Sequence, residues 1–174
     1  MDGCSLRSCI PGDEHALALV GQATFLETFA GVLDGADILV HCHTQHSAAV
    51  YGAWLRQRAG LLWLAETTAG LAPIGYLGLG AAELPVSDPR ETDIELKRIY
   101  VLKGFQGTGV GDALMDRAVA SAREFGRARL LLGVYARNER AIAFYQRRGF
   151  QAIAGRRFAV GHNTYEDTVF ALPL

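Results

Sequence analysis

Cysteine is scarce in this sequence, and its spacing is irregular. The three cysteines are Cys4, Cys9 and Cys42, and no two of them form a C-x-x-C pair. The sequence therefore indicates neither a disulfide framework nor a four-cysteine zinc site. One short stretch does combine thiol and imidazole groups, namely His41, Cys42, His43 and His46. Both groups bind zinc, but no second group with familiar spacing completes a site. We therefore expect no metal and interpret these histidines as surface or pocket-lining residues.

Long hydrophobic runs and an excess of charge of one sign are also missing. Half of the residues are apolar, yet no run approaches the length of a transmembrane helix, and the first residues lack the basic and apolar regions of a signal peptide. Seventeen basic and eighteen acidic side chains give a formal charge of −1, which provides no footprint for nucleic acid or an anionic membrane. We therefore predict one cytoplasmic domain over residues 1–174, with no nucleic-acid or membrane partner.

Residues 93–125 have the pattern of a strand, a glycine turn and a helix. Alternation in the strand predicts one face with Ile94, Leu96, Arg98 and Tyr100, and another with Glu95, Lys97, Ile99 and Val101. Glycines at the alternate positions Gly107, Gly109 and Gly111 let backbone N–H groups approach a ligand closely. An amphipathic helical pattern follows, so the turn lies at the positive end of a helix dipole. This arrangement is a general device for binding phosphate.

The glycine turn does not fit two common nucleotide-binding loops. A mononucleotide P-loop requires Lys followed by Ser or Thr after its last glycine, whereas Asp112 and Ala113 follow Gly111 here. The dinucleotide fingerprint has glycines spaced G-x-G-x-x-G, whereas this turn has G-x-G-x-G. Nucleotide or NAD binding is therefore a disfavoured interpretation.

Two motifs in the second half of the chain resemble those of a known superfamily. The segment Gln106-Gly-Thr-Gly-Val-Gly111 is similar to the acyl-CoA signature [QR]-x-x-G-x-[GA] of the GNAT superfamily of N-acetyltransferases. About thirty residues later, the segment from Asn138 to Phe150 resembles that superfamily's Asn-x-x-Ala-x-x-Phe-Tyr-x-x-x-Gly-Phe motif at every fixed position. The resemblance covers residues 61–172 well and the first sixty residues more loosely.

The resemblance implies a fold and a cofactor. The fold class is α/β (more strictly α+β), with a twisted, mainly antiparallel central sheet of about six to seven strands, flanked by helices and split by acetyl-CoA. In such a fold the pantetheine pairs with backbone groups near Ile99 and Val101, while the turn holds the pyrophosphate. The cofactor-binding residues implied are Ile99, Val101, Gln106, Gly107, Thr108, Gly109, Val110, Gly111, Asn138 and Tyr145.

The resemblance also implies two catalytic residues. Tyr145 matches the tyrosine that faces the CoA sulfur, where its phenol can protonate or hydrogen-bond the departing thiolate. Glu95 occupies the position of a catalytic glutamate in histone-acetylating members, and it is our candidate general base; Asp93 is a less favoured substitute. The alternative for Glu95 is an ion-paired strand carboxylate with Lys97 as partner. No nucleophile-elbow or triad pattern is evident, so direct transfer in a ternary complex is favoured over an acyl-enzyme.

The acceptor predicted from the sequence is a primary amine on a small molecule. The segment from Thr24 to Phe29 resembles a phrase in a bacterial branch that includes polyamine acetyltransferases, so a polyamine is the first hypothesis. A cationic acceptor would require acidic pocket residues, and only Glu27, Asp34 and Asp37 lie near the region that borders the acceptor pocket in the superfamily. A protein N-terminus and an aminoglycoside remain alternatives. The competing function is a non-catalytic acyl-CoA-binding sensor or interaction module. Members of the superfamily are often dimers, so the resemblance also allows a homodimer.

Overall fold

The computed structural model describes residues 3–57, 61–161 and 163–174, so residues 1, 2, 58–60 and 162 of the predicted domain lie outside the described part. The elements follow in this order: β1 (Cys4–Ser8), α1 (Glu14–Phe29), α2 (Gly35–Gln45), α3 (Ala48–Arg56), β2 (Leu61–Thr67), β3 (Pro73–Ala81), β4 (Asp93–Val101), a short 3-10 helix (Lys103–Phe105), α4 (Val110–Glu124), β5 (Arg129–Tyr135), α5 (Glu139–Arg147), β6 (Gln151–Val160) and β7 (Asn163–Pro173). Among the described residues, no helix is long and apolar enough to cross a membrane.

The strands form one seven-stranded sheet in the order β1-β2-β3-β4-β5-β7-β6. Every neighbouring pair is antiparallel except β4 and β5, which are parallel. Helices cover both faces of this sheet. On one face Leu17 of α1 and Tyr51 of α3 are fully buried, and on the other Leu114 and Ala118 of α4 are fully buried. The predicted mainly antiparallel sheet flanked by helices is therefore confirmed.

The parallel pair β4 and β5 is joined along only part of its length. Asp93, Ile94 and Glu95 pair with residues 129–131, and the register ends there although both strands continue. Beyond Glu95 the two strands separate, which opens the sheet at its centre. The unpaired half of β4 consequently presents a free backbone edge to the gap, and such an edge can pair with another extended chain.

A β-bulge in β4 changes which side chains share a face. Gly78 of β3 pairs with Arg98, but the next residue, Leu79, pairs with Leu96, so Lys97 is an extra residue on β4. Because side chains alternate with a period of two, one extra residue moves all later side chains to the opposite face.

The faces predicted for β4 from simple alternation are therefore wrong beyond the bulge. Ile94 and Leu96 belong to the core under α4, and Ile99 and Val101 pack against that same core. Tyr100 packs in the other core, beneath α1 and α3.

A buried ion pair fixes the closed end of the gap between β4 and β5. The Arg129 guanidinium donates to both carboxylate oxygens of Asp93, from Nε to Oδ1 at 2.8 Å and from Nη2 to Oδ2 at 2.7 Å. The two side chains are only 8% and 2% exposed. Asp88 accepts from the same guanidinium at 3.0 Å, but it is 53% exposed. The pair joins the first residues of β4 and β5, which are register partners.

We expect Arg129→Met to lower the free energy of unfolding by about 3–5 kcal/mol, because it leaves the Asp93 carboxylate buried without its cation. Chemical denaturation followed by circular dichroism measures this change. The guanidinium hydrogen bonds of Arg129 also hold the pKa of Asp93 below its ordinary value. The stabilisation from the pair should thus be complete above the ordinary pKa of about 3.9 and disappear as the pH falls through the lowered value.

Asp88→Asn is the matched control, because it removes an exposed partner of the same guanidinium. Its expected effect is below about 1 kcal/mol. Equal losses in the two variants would show that the buried Asp93 contact contributes no more than the exposed one.

Candidate functional site

The gap between β4 and β5 is the floor of a long cleft with a volume of about 1080 Å³. Its floor includes Ile99 and Val101 on one side and Leu132 and Val134 on the other. Residues from α1, α3, α5, β6 and β7 form the walls, together with the loop before α4. The cleft therefore connects the glycine turn at one end with the space under α1 and α2 at the other.

The turn between β4 and α4 is held by specific contacts. The Gln106 side chain donates from Nε2 to the carbonyl oxygen of Val101 at 2.9 Å, which ties the turn to the end of β4. Glu27 of α1 accepts from the Lys103 backbone N–H at 2.8 Å. Gly107 and Gly109 have φ values of 84° and 90°, a left-handed conformation that side chains disfavour. The glycines are therefore required by the backbone path as well as by any ligand.

The N-terminus of α4 is open toward the cleft. Gly109 is the N-cap residue, and no side chain caps the helix. The backbone N–H groups of Val110, Gly111 and Asp112 consequently have no intrahelical acceptor. Gly107, Gly109 and Gly111 line the cleft. These N–H groups lie at the positive end of the α4 helix dipole, an arrangement that can bind an anion.

Two of the predicted turn residues contribute backbone rather than side chain. The Val110 side chain is buried in the core under α4, and the Thr108 hydroxyl donates to the carbonyl oxygen of Phe105 at 2.7 Å. Neither residue is part of the cleft lining, whereas the other predicted cofactor residues are.

The edge of β4 is directed into the cleft at the predicted residues. The Leu102 N–H donates to Ile74 of β3 at 2.9 Å. Backbone groups of successive strand residues point to opposite edges. Since Leu102 faces β3, the N–H groups of Val101 and Ile99 face the cleft. An extended ligand lying there would find donors and acceptors at the spacing of a strand.

Tyr145 and Asn138 lie in the wall formed by α5. Tyr145 lines the cleft and is only 8% exposed, and burial raises the pKa of its phenol well above the ordinary value. The phenol is therefore protonated at neutral pH and can donate. Asn138 caps α5 by accepting from the Ala141 N–H at 3.1 Å, which uses its carbonyl oxygen and leaves the NH2 group for a ligand.

Glu95 lies where β4 and β5 begin to separate, and it both lines the cleft and forms an ion pair. Its Oε2 accepts from the Glu83 backbone N–H at 2.9 Å and from Lys97 Nζ at 3.0 Å. Lys97 also donates to the Glu83 carboxylate at 2.7 Å. Both contacts to Glu95 are made to Oε2, so Oε1 is the oxygen that can take a proton. Asp93, the substitute base, is instead bound to Arg129.

A second cleft carboxylate, Asp167, was not predicted from the sequence. It lies on β7 and accepts from Arg156 of β6 at 3.1 and 3.0 Å. Burial raises its pKa, while Arg156 opposes that rise. Both residues line the cleft. No local motif marks them, because they become neighbours only through the register of β6 and β7, in which residue 156 pairs with residue 167.

Of the predicted histidines, His41 lines the far end of the cleft, whereas His43 is exposed outside the lining and His46 is buried behind it. His46 is 2% exposed, and its Nδ1 lies 2.8 Å from the Tyr51 hydroxyl. Burial, with a contribution from the nearby Arg98 charge, lowers the pKa of His46 to about 2. His41 stacks on Phe25 with 4.2 Å between ring centroids, and burial lowers its pKa to about 4.

Both rings are therefore neutral at physiological pH. Within residues 3–57, 61–161 and 163–174, no group of three or more potential ligands is arranged to hold a metal ion.

Comparison with known proteins agrees with this architecture. The model of the acetyltransferase (GNAT) family matches residues 32–150 of this chain. The chain belongs to the GNAT family. An uncharacterized N-acetyltransferase from the pepI 3′ region of Lactobacillus delbrueckii subsp. lactis is 33% identical over 167 residues, which are 96% of this chain and 95% of that protein. The predicted superfamily is thus confirmed.

Other relatives match a shorter region or only the fold. An uncharacterized N-acetyltransferase of Mycobacterium tuberculosis is 38% identical over 96 residues, and the match spans 55% of this chain and 60% of that protein. Among solved structures, the PaiA N-acetyltransferase of Thermoplasma acidophilum in complex with coenzyme A has a TM-score of 0.79 at 18% identity, with 98% of this chain and 99% of that chain covered. The ribosomal-protein-S18-alanine N-acetyltransferase of Escherichia coli has a TM-score of 0.70 at 19% identity, with 98% and 93% covered. These two structures share the GNAT fold with this chain.

The low pKa of His46 predicts a pH-dependent stability for this GNAT chain. The folded state keeps His46 neutral, but the unfolded chain takes up a proton below its ordinary pKa of about 6.5. Stability should therefore be complete above pH 6.5 and fall by about 1 kcal/mol from this residue alone at pH 5.5. His46→Gln should flatten this dependence, and urea unfolding from pH 5 to 8 measures it.

His43→Gln is the control, because His43 lies in the last turn of α2, just before the C-cap residue His46, but is exposed. It should leave the pH dependence of wild type intact. If His46→Gln retains the full slope, burial of this imidazole is not its source.

Proposed function

We propose that this chain is an acetyl-CoA-dependent N-acetyltransferase that transfers the acetyl group directly to a primary amine in a ternary complex. The observation that carries the proposal is the single cleft that combines an uncapped helix N-terminus, a free strand edge, a protonated phenol and a carboxylate. Membership of the GNAT family supports it.

The cofactor fits the cleft in one direction. The pyrophosphate of acetyl-CoA binds the N–H groups at the start of α4, where Lys103, Arg140 and Arg147 in the cleft lining add positive charge. The pantetheine arm then lies along the edge of β4 and pairs with the backbone of Ile99 and Val101. The PaiA structure, which has a related fold, is a complex with coenzyme A, and this supports coenzyme A as the ligand.

The reaction requires a neutral amine and a stabilised oxyanion. An aliphatic amine has a pKa near 10.4, so most of it arrives protonated. Glu95 accepts a proton from it through Oε1, directly or through a water molecule. The free amine attacks the thioester carbonyl, and a backbone N–H of the β4 edge donates to the oxygen that becomes negative.

The reaction ends with departure of the thiolate. The C–S bond breaks as the carbonyl re-forms, and the electron pair remains on sulfur. Tyr145 donates its phenolic proton to that sulfur or hydrogen-bonds it. The attacking nitrogen releases its second proton to water as the amide forms, and a phenolate left on Tyr145 is reprotonated from water. Because burial raises the pKa of Tyr145, ionisation of the phenol should reduce the rate only above the ordinary tyrosine pKa of about 10.

The polyamine hypothesis stays a prediction, as do the alternatives of a protein N-terminus or an aminoglycoside. Of the acidic groups predicted near the acceptor pocket, Glu27 accepts a hydrogen bond from the Lys103 backbone N–H, and Asp34 caps α2. Both therefore already have structural partners. The homodimer, the single-domain organisation and the cytoplasmic location also stay predictions. A non-catalytic acyl-CoA-binding module is the competing function, and it predicts CoA binding without thiol release.

The glycine turn gives the first test. Gly109→Ala places a side chain at a φ of 90°, which costs about 1–2 kcal/mol in the left-handed region. We expect the turn to shift and CoA affinity to fall about tenfold, as measured by isothermal titration calorimetry. Gly104→Ala is the matched control, since it is outside the left-handed region and a Cβ there meets no atom within 4 Å. Equal CoA affinity in both variants would place the pyrophosphate elsewhere.

Thiol release from acetyl-CoA, measured against a panel of amines, tests the chemistry. Tyr145→Phe should retain CoA affinity but lose kcat by about 10²-fold, because the proton donor is removed. Glu95→Gln should lose about as much at neutral pH and recover part of it at high pH, where the amine is already neutral.

Two further variants test an alternative base and provide a control for that experiment. Asp167→Asn tests another carboxylate of the cleft lining, and a larger loss there than in Glu95→Gln would assign the role of base to Asp167. Glu124→Gln is the control, because Glu124 is 57% exposed and pairs with Arg117 on α4. Tight CoA binding without thiol release from any amine would contradict the enzyme and favour the binding module.

A further inference from the structure

We call the part of the cleft beneath α1 and α3, lined by Phe25, Phe29 and Trp54, the acceptor half. Arg98 lies in it, on the face of β4 that the bulge directs toward α3. Its guanidinium carbon is 5.0 Å from the centroid of the Tyr51 ring and 5.3 Å from that of Trp54. Arg98 and Trp54 both line the cleft. The two rings hold the guanidinium by cation–π contact. The rings fix its position, and the Tyr51 hydroxyl also interacts with the guanidinium.

The hydrogen bonding of Arg98 is incomplete. Its Nη1 is buried and has no hydrogen-bond partner among residues 3–57, 61–161 and 163–174. No carboxylate in that part of the chain lies within ion-pair distance of it. The residue as a whole is only partly buried and lines the cleft, so a ligand can reach the guanidinium, and an unpaired buried donor is unfavourable unless something compensates for the lost water.

The acidic groups nearest to Arg98 in the cleft lining already form ion pairs with other residues. Glu83 and Glu95 share Lys97, and Asp167 is paired with Arg156. The imidazoles nearest to Arg98 are neutral at physiological pH, because burial lowers the pKa of both His41 and His46. The acceptor half of the cleft thus contains three carboxylates that share two cations, and one guanidinium with no carboxylate within ion-pair distance in the described part of the chain.

We infer that the acceptor amine also carries a carboxylate, and that Arg98 binds this carboxylate. The inference rests on the proposed function and specifies its acceptor. A guanidinium presents a planar fork of donors that matches a carboxylate, and the ligand would supply the counter-ion that this chain does not. A polyamine would instead place further positive charge beside Arg98, which is electrostatically unfavourable.

The position of Arg98 on β4 is suited to this role. Glu95 and Arg98 are three positions apart on one strand, a distance of at most about 10 Å at roughly 3.3 Å per residue. A small amino acid between them could present its amine toward Glu95 and its carboxylate toward Arg98. Phe25, Phe29 and Phe158 line the same cleft, so an apolar side chain on the acceptor would have a place to pack.

Matched acceptors with and without a carboxylate test the inference. The pairs are phenylalanine with phenethylamine and lysine with cadaverine, and kcat/KM is measured by thiol release from acetyl-CoA. At least one carboxylate-bearing member should be preferred tenfold or more over its decarboxylated partner by wild type. Arg98→Met should reduce this ratio to near one, chiefly through KM. Preference for the decarboxylated amines, or equal rates, would overturn the inference and leave the proposed function standing.

Arg157→Met is the matched control. It removes the same charge from an exposed position on β6 that is not part of the cleft lining, and it should keep the wild-type ratio. A proportional loss on both members of a pair in Arg98→Met would assign Arg98 a structural role only and overturn the inference. If thermal unfolding shows that Arg98→Met does not fold, the wild-type ratio decides.

A binding measurement separates failure of this inference from failure of the proposed function. Isothermal titration of each acceptor into CoA-saturated protein needs no turnover. Carboxylate-dependent binding without thiol release would overturn the transferase and support the role of Arg98. Turnover of amines without any carboxylate preference in binding or rate would support the transferase and overturn the role of Arg98.

Discussion

The parallel pairing of β4 and β5 is the constraint on which the cleft depends. It lasts for three residue pairs, and the buried Arg129 and Asp93 side chains lock its first step. Longer pairing would close the sheet and occupy the backbone edge of β4. Without any pairing, the two halves of the sheet would lose their shared register. A short, strongly fixed contact provides both a continuous sheet and an opening in its centre.

The cleft joins two sites of different electrostatic character. At the start of α4, backbone N–H groups and the helix dipole provide positive potential without a buried side-chain charge. Toward α1 and α2, the lining contains aromatic rings, the neutral His41 imidazole and the Arg98 guanidinium, with ion pairs at its edges. Water is a weaker competitor in such surroundings, and an ionic contact made there is stronger than at an open surface. The first site suits a phosphate that remains partly solvated, whereas the second suits selective contacts to a small acceptor.

The elements that carry a local pattern could be predicted from the sequence. The glycine turn, the amphipathic α4 and the segment from Asn138 to Phe150 each depend on residues close together in the chain, and their motifs indicated the family. The predicted antiparallel sheet with helices on both faces was also correct. The ion pair of Glu95 with Lys97, weighed from their spacing alone, is present at 3.0 Å.

What could not be predicted depends on register between distant strands. Asp167 and Arg156 meet only because β6 pairs with β7 in one register. The extra residue at Lys97 is visible only in the pairing of β4 with β3, because a strand sequence of alternating character looks the same with and without a bulge. Simple alternation placed Arg98 on the face of Ile94 and Leu96. That face is packed against α4, where a guanidinium would have no place.

The bulge therefore links the shape of the sheet to the chemistry of the cleft. Glu95 precedes it and Arg98 follows it, and the extra residue between them brings both onto the side of Trp54 while Ile99 keeps its contact with the core under α4. An unbulged strand could not place carboxylate and guanidinium, three positions apart, on the same face. With the bulge, one strand provides the backbone edge for the cofactor, the candidate base and the cation for the acceptor. The bulge residue itself, Lys97, pairs with the candidate base and with Glu83, so these carboxylates are paired with Lys97 and not with Arg98.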